Sequence, residues 1–130
     1  MGKNYRFTLL YISWMVCITL LSLFSFSAAD DFGFEFPHKD KVVHVIFYFV
    51  ATILGVRCLE EHSEGKQNSK NNIFRVIVFS IVFGMIIEGL QWVMPYGREA
   101  DFWDVLANAI GAITGGLLVQ KYRSLNTRGN

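Results

Sequence analysis

Residues 86–118, IIEGLQWVMPYGREADFWDVLANAIGAITGGLL, combine two features that oppose each other. The stretch is apolar enough to lie in a membrane, yet it contains Glu88, Gln91, Arg98, Glu99, Asp101, Asp104 and Asn108. Pro95 is suited to end one helix, and Asp101 is suited to cap the next. The stretch therefore predicts two membrane helices with a polar site at the joint between them.

The composition extends this prediction to the whole chain. Its 130 residues are 52% hydrophobic and 18% charged, with a mean hydropathy of +0.34, so the charges are segregated from the apolar runs. A helix needs about 20 apolar residues to cross a bilayer core of about 30 Å. Four segments approach that length: 7–29, 42–59, 73–94 and 104–120. We predict an all-α polytopic membrane protein, a bundle of four transmembrane helices forming a single domain over residues 1–130.

Two alternatives concern the first segment, which has no charge between Phe7 and Ala29. In a soluble helical bundle this segment would lack a polar face. As a cleaved signal peptide it would have a basic start and a small-residue site at residues 27–29, but a signal core is usually about 7–15 residues long. We therefore expect an uncleaved membrane helix.

The basic residues predict the orientation, because Lys and Arg concentrate on the cytoplasmic side. Nine lie in the two tails and the second connection with its flanks: Lys3, Arg6, Arg57, Lys66, Lys70, Arg75, Lys121, Arg123 and Arg128. Three lie on the opposite side: Lys39, Lys41 and Arg98. Both termini are predicted to be cytoplasmic, in a multi-pass protein integral to the cytoplasmic (inner) membrane. The second connection, residues 60–72, is predicted to be a flexible polar loop.

Polar residues of three segments fall on one helical stripe each. The stripes are Lys41, His44 and Tyr48; Gly84, Glu88 and Gln91; and Asp101, Asp104, Asn108, Gly111 and Gly115. Glu88 lies six residues before the end of its segment, about 9 Å below the boundary. A charge inside the bilayer costs roughly 2.5–3.5 kcal/mol, so it should face a partner or a wet cavity. The stripes predict a single polar cluster at the outer boundary.

Simpler interpretations of single residues remain open. Asp40 and Asp101 are also suited to serve as helix caps alone, and Tyr48 as an interfacial aromatic residue. Arg98 and Asp104 are suited to form a structural ion pair. Gly111 and Gly115 form a small-xxx-small face, which favours helix packing.

Together these residues resemble the motif of the VanZ-like family of small membrane proteins. The similarity covers residues 40–118. It consists of an Asp-Lys-x-x-His-x-x-x-Tyr stretch, a Glu-x-x-Gln pair, and Arg-x-x-Asp-x-x-Asp-x-x-x-Asn-x-x-Gly-x-x-x-Gly. These fall on Asp40, Lys41, His44, Tyr48, Glu88, Gln91, Arg98, Asp101, Asp104, Asn108, Gly111 and Gly115. The resemblance implies a cell-envelope membrane protein, and the family's namesake is associated with low-level resistance to the glycopeptide teicoplanin. It implies no particular reaction.

The residue types favour recognition or modification of an anionic envelope lipid or amphiphile, such as a phosphate-bearing lipid-linked precursor. His44 and Glu88 are the candidate acid/base residues, because burial can move either pKa toward neutrality. Substrate binding is assigned to Lys41, Arg98, Gln91, Asn108 and Tyr48. Asp40, Asp101 and Asp104 support the cluster. The guanidinium fork of Arg98 suits phosphate or carboxylate.

Two other functions remain as alternatives: a non-catalytic membrane scaffold or subunit, in which the cluster holds the helices in register, and a small transporter or proton relay. Partners in the membrane are expected to be lipid and other proteins, and the short tails do not suggest nucleic-acid binding. We predict no metal and no cofactor. A metal site from His44, Glu88, Asp101 and Asp104 is the weaker alternative, because separate elements supply those ligands without a short-spaced motif.

Overall fold

The computed structural model describes residues 4–24, 38–63, 69–94 and 101–129. These ranges form four helices: α1 (Arg6–Phe24), α2 (Lys39–Ser63), α3 (Ser69–Val93) and α4 (Phe102–Arg128). Each is long and apolar enough to cross a membrane. The predicted all-α fold of four membrane-spanning helices is confirmed.

Helices α2, α3 and α4 are longer than the apolar runs that predicted them. The prediction of a loop over residues 60–72 is wrong at both ends, because residues 60–63 belong to α2 and residues 69–72 to α3. Residues 64–68 lie outside the described ranges. The physical reason is that a helix continues into the headgroup region and water after its apolar run ends. Hydropathy locates the part of each helix in the membrane core and therefore underestimates the length of the helix.

The outward faces of the bundle are apolar. Large side chains stay exposed along all four helices, among them Leu9 on α1, Ile46 on α2, Phe74 on α3 and Leu117 on α4. A water-soluble monomer rarely exposes contiguous apolar surface of this kind. Hydrocarbon solvates such faces, so the exposure pattern agrees with a bundle surrounded by lipid.

Contacts between helix ends determine which ends share a side. The Glu61 carboxylate, near the end of α2, accepts hydrogen bonds from the backbone amides of Phe7 (2.8 Å) and Thr8 (2.9 Å) at the start of α1. Glu60, one residue earlier, forms an ion pair with Arg123 near the end of α4. The start of α1 and the ends of α2 and α4 therefore lie at one end of the bundle, and the start of α2 lies at the other.

We predict that this first end is cytoplasmic. The nine basic residues of the tails and second connection motivate the assignment, because the insertion machinery retains Lys and Arg inside. Reporter fusions after Asn130 and within the second connection at Asn68 should both show cytoplasmic activity. A periplasmic or extracellular signal from either fusion would contradict the orientation.

Glycines bring α4 against the backbone of α2. A methyl group added at Gly111 would overlap the carbonyl oxygen of Val45, and one added at Gly115 would lie 2.6 Å from the carbonyl oxygen of Phe49. No side chain fits in either position. Small residues allow membrane helices to approach closely, where van der Waals contact replaces the hydrophobic effect as the source of attraction. This contact holds the polar residues that precede Gly111 on α4 close to α2.

Candidate functional site

Polar side chains gather where α2 and α4 begin and α3 ends. Five of them are buried although they carry charged, amide or imidazole groups: His44, Glu88, Gln91, Asp104 and Asn108. They come from the three stripes that the sequence predicted. Burial of this kind requires partners, because an unsatisfied polar group in an apolar medium is costly.

Lys41 connects the first turns of α2 and α4. Its ammonium Nζ donates to Asp101 Oδ2 at 2.8 Å, to Asp40 Oδ2 at 3.2 Å and to Asp104 Oδ1 at 3.3 Å. The Lys41 side chain keeps 25% of its surface exposed, whereas Asp104 keeps only 10%. Charge-assisted hydrogen bonds are stronger than neutral ones, so this ammonium holds the two helix starts together.

Asp101 has two roles at once. It is the N-cap of α4, with Oδ1 accepting from the Trp103 backbone amide at 2.9 Å, while Oδ2 accepts from Lys41. The Lys41 ammonium first, and then the Trp103 amide, hold the pKa of Asp101 below its usual range. The carboxylate is therefore ionised at neutral pH, when it also complements the positive end of the helix dipole.

His44 lies one turn deeper than Lys41 and pairs with α4. Its Nδ1 is 2.9 Å from the side-chain carbonyl oxygen of Asn108, and both residues are only 1% exposed. An amide oxygen can only accept, so with this amide orientation Nδ1 carries the hydrogen. In the neutral ring Nε2 then keeps its lone pair, and it lies 3.9 Å from Asp104 Oδ2.

Glu88 completes the cluster from α3. The residue is 3% exposed, and its Oε1 is 3.9 Å from His44 Nδ1. One donor atom each from His44, Glu88 and Asp104 lies within 4.8 Å of the other two. Three helices thus supply one ionisable side chain each to a single buried point. These residue types are suited to proton transfer and to binding a cation.

Two predicted site residues lie outside this centre. The Gln91 amide donates to the backbone carbonyl of Ser22 on α1 at 2.6 Å, so it holds α1 against α3. Tyr48 is fully buried in an apolar core with Ile18, Ala51 and Ala112. Arg98 lies outside the described residues. Among the described site residues, the structure therefore brings together Asp40, Lys41, His44, Glu88, Asp101, Asp104 and Asn108.

The contact with α1 is the part of the site that sequence reasoning missed. The only signal was a serine near the end of the first segment, because α1 has no charge after Arg6 and no polar stripe. A backbone carbonyl supplies the acceptor, and any residue type would supply the same group. Sequence patterns cannot report a partner of that kind.

Fold and site together define a small multi-pass membrane protein with a buried polar centre at one end of a four-helix bundle. A comparison with protein families matches residues 7–123 to the VanZ/LLP1 family, so the chain belongs to that family. The match includes α1, which the resemblance in residues 40–118 did not. No curated protein and no solved structure matches.

Proposed function

We propose that this VanZ/LLP1 protein recognises or modifies an anionic, phosphate-bearing envelope lipid or amphiphile at the outer boundary of the cytoplasmic membrane. The observation that carries the proposal is the Lys41 ammonium, which remains partly exposed at the bundle end while its neighbour His44 is buried. A cation at headgroup depth, backed by ionisable groups, is suited to a phosphate whose lipid tail stays in the bilayer.

The exposure of the carboxylates around Lys41 suggests how a phosphate would enter. Asp40 and Asp101 keep 40% and 39% of their side-chain surface exposed, so either can turn toward water when an anion approaches the ammonium. Asp104 is far more buried and would stay in place. The sequence places Arg98 three residues before Asp101, and its guanidinium would supply a second cation with a fork suited to phosphate.

His44 and Glu88 are the acid/base residues in this proposal. The Asn108 contact keeps the Nδ1 hydrogen of His44 in place, which leaves Nε2 as the proton acceptor. Glu88 Oε1 lies 3.9 Å from Nδ1 of the same ring. A general base must reach its substrate within hydrogen-bonding distance, so the reacting group would have to enter beside Asp104.

A lipid-binding assay tests the recognition step. Purified protein in nanodiscs should bind a polyprenyl phosphate more tightly than the matching uncharged polyprenol. Lys41→Gln and Arg98→Lys should each weaken phosphate binding tenfold or more, which corresponds to about 1.4 kcal/mol. Lys121→Gln, at the other end of α4, is the matched control and should bind normally. Equal affinity for phosphate and alcohol would contradict the proposal.

The scaffold function is the second candidate, because the same contacts join helices: Lys41 and His44 both connect α2 to α4. Glu88→Gln separates the two, since it keeps the shape and removes the charge. We expect normal insertion and melting temperature but loss of lipid turnover, and loss of any teicoplanin resistance that the wild type confers on a sensitive bacterial host. A loss of activity that only follows a loss of stability would favour the scaffold.

A further inference from the structure

We propose that His44, Glu88 and Asp104 form a binding site for one divalent transition-metal cation inside the bundle. All three side chains are buried, and one donor atom from each lies within 4.8 Å of the other two. One imidazole and two carboxylates are ligand types that zinc and related divalent ions accept. The inference goes beyond the proposed function and does not depend on it, because the cation can be measured without lipid.

The environment of His44 matches that of a metal-binding histidine. Such a histidine commonly donates the N–H of its other ring nitrogen to a carbonyl or carboxylate, which fixes the ring and raises the basicity of the ligating nitrogen. Here Nδ1 donates to the Asn108 amide oxygen at 2.9 Å, and Nε2 faces Asp104. The ring is therefore already oriented with its ligating nitrogen toward a carboxylate.

Asp104 is held in the same way. Its Oδ1 accepts from Lys41, which leaves Oδ2 directed toward His44 Nε2 at 3.9 Å. Two ligands bonded to zinc at about 2.1 Å in a tetrahedron lie about 3.4 Å apart. Shifts of about half an ångström would bring these two ligand atoms to that separation. The three ligands come from three helices, so the bundle fold itself builds the site.

A second observation points to a ligand at this place. Within the described ranges, the Tyr48 hydroxyl and the Asn108 side-chain nitrogen are fully buried and have no hydrogen-bond partner. Asn108 contacts the ligand His44, and the Tyr48 hydroxyl lies within electrostatic range of Glu88. Buried polar groups of this kind are nearly always satisfied by protein or ordered water. Water on a metal bound to Glu88 would supply such a partner for the Tyr48 hydroxyl.

The charges of the centre also favour a cation. The described cluster contains four carboxylates, those of Asp40, Glu88, Asp101 and Asp104, and Lys41 is its only lysine or arginine. Adding two positive charges moves the balance toward neutrality, which the low-dielectric interior favours. Asp101 already accepts hydrogen bonds from Lys41 and from the Trp103 amide at the α4 N-terminus, so it is not a ligand in this proposal. The site therefore has three ligands, whereas the alternative from the sequence had four.

The test is a metal titration of tag-free protein that has been stripped with a chelator in detergent. Zn²⁺ should bind with about one equivalent per chain, and Mg²⁺ more weakly, because magnesium prefers oxygen ligands alone. His44→Gln and Asp104→Asn should each lower the affinity for Zn²⁺ at least tenfold. His62→Gln and Glu61→Gln, near the other end of α2, are the matched controls and should not change it.

Cobalt keeps the proposal falsifiable where a variant fails to fold. Wild-type protein loaded with Co²⁺ should show visible absorption of a low-symmetry nitrogen and oxygen site, saturating at about one equivalent and lost on adding Zn²⁺. The absence of a saturable Zn²⁺ site in folded wild-type protein, or of the cobalt spectrum, would overturn the proposal. An equal loss of affinity in His62→Gln and His44→Gln would also overturn it.

Discussion

Replacing Gly111 with leucine should lower the melting temperature of the detergent-purified protein more than any other single change considered for the packing of the bundle. The Cβ of the new side chain would overlap the carbonyl oxygen of Val45 and lie 3.1 Å from the Phe49 amide nitrogen. Backbone atoms cannot rotate aside as a side chain can. We expect the free energy of unfolding to fall by an amount at or above the upper end of the range of about 1–3 kcal/mol typical of overpacking.

Gly89 offers the matched control on α3. A Cβ there would meet no atom within 4 Å, and the residue is exposed. Gly89→Leu should leave the melting temperature unchanged or raise it slightly, because it adds an apolar, helix-favouring side chain on the lipid side. Similar melting temperatures for the Gly111 and Gly89 variants would mean that the α2–α4 contact does not limit stability.

The same substitution should disturb the polar site from a distance. Gly111 lies seven residues after Asp104 on one face of α4, so helices separated at Gly111 would also separate Lys41 from Asp104. Stability and site geometry therefore share one physical cause. A Gly111 variant is expected to lose Zn²⁺ affinity together with its melting temperature, whereas the Gly89 variant should lose neither.

The central residues of the buried polar cluster could be predicted from the sequence because burial inside a membrane restricts polar groups so strongly. Glu88 had to face inward, and the spacing of His44 and Asp104 placed both on stripes that had to meet it. These are arguments from cost and periodicity, and both survive without atomic detail. They explain why the fold and the shared position of the cluster could be predicted from the sequence.

The hydrogen-bond partner of each residue within the cluster could not be predicted in the same way. Gln91 shares a stripe with Glu88, yet its amide reaches the Ser22 carbonyl on α1. Asp104 pairs with Lys41, a contact that the stripes did not assign, whereas its suggested partner Arg98 lies outside the described residues. Stripes identify the face of a helix, whereas partners depend on rotamers and on the depth at which neighbouring helices start.

Replacing Lys41 with methionine should produce the second large effect. Methionine keeps the length of the stem and removes the ammonium, which leaves three carboxylates around a point where each had been within 3.3 Å of the same nitrogen. Without the ammonium the neighbouring carboxylates repel one another, and the helix starts of α2 and α4 lose their connection. The melting temperature at pH 7 should fall on the order of 5 °C or more.

The pH dependence identifies the cause. In the wild type the pKa of Asp101 is lowered by Lys41, so its contribution to stability is present above its unfolded pKa of about 3.9 and is lost as pH falls through the lower folded value. In Lys41→Met the carboxylates repel while ionised and stop repelling once protonated. The difference in melting temperature between the two proteins should therefore be largest near pH 7 and shrink as pH falls below about 4.

Two further variants complete the argument. Lys121→Met removes an exposed ammonium from the other end of α4 and should change the melting temperature little at any pH. Adding Asp104→Asn to Lys41→Met removes the most buried of the three carboxylates and should recover part of the lost stability at pH 7. Recovery would show that charge repulsion, rather than loss of the lysine stem, weakens the protein. A pH-independent deficit without recovery would mean that Lys41 acts through packing alone.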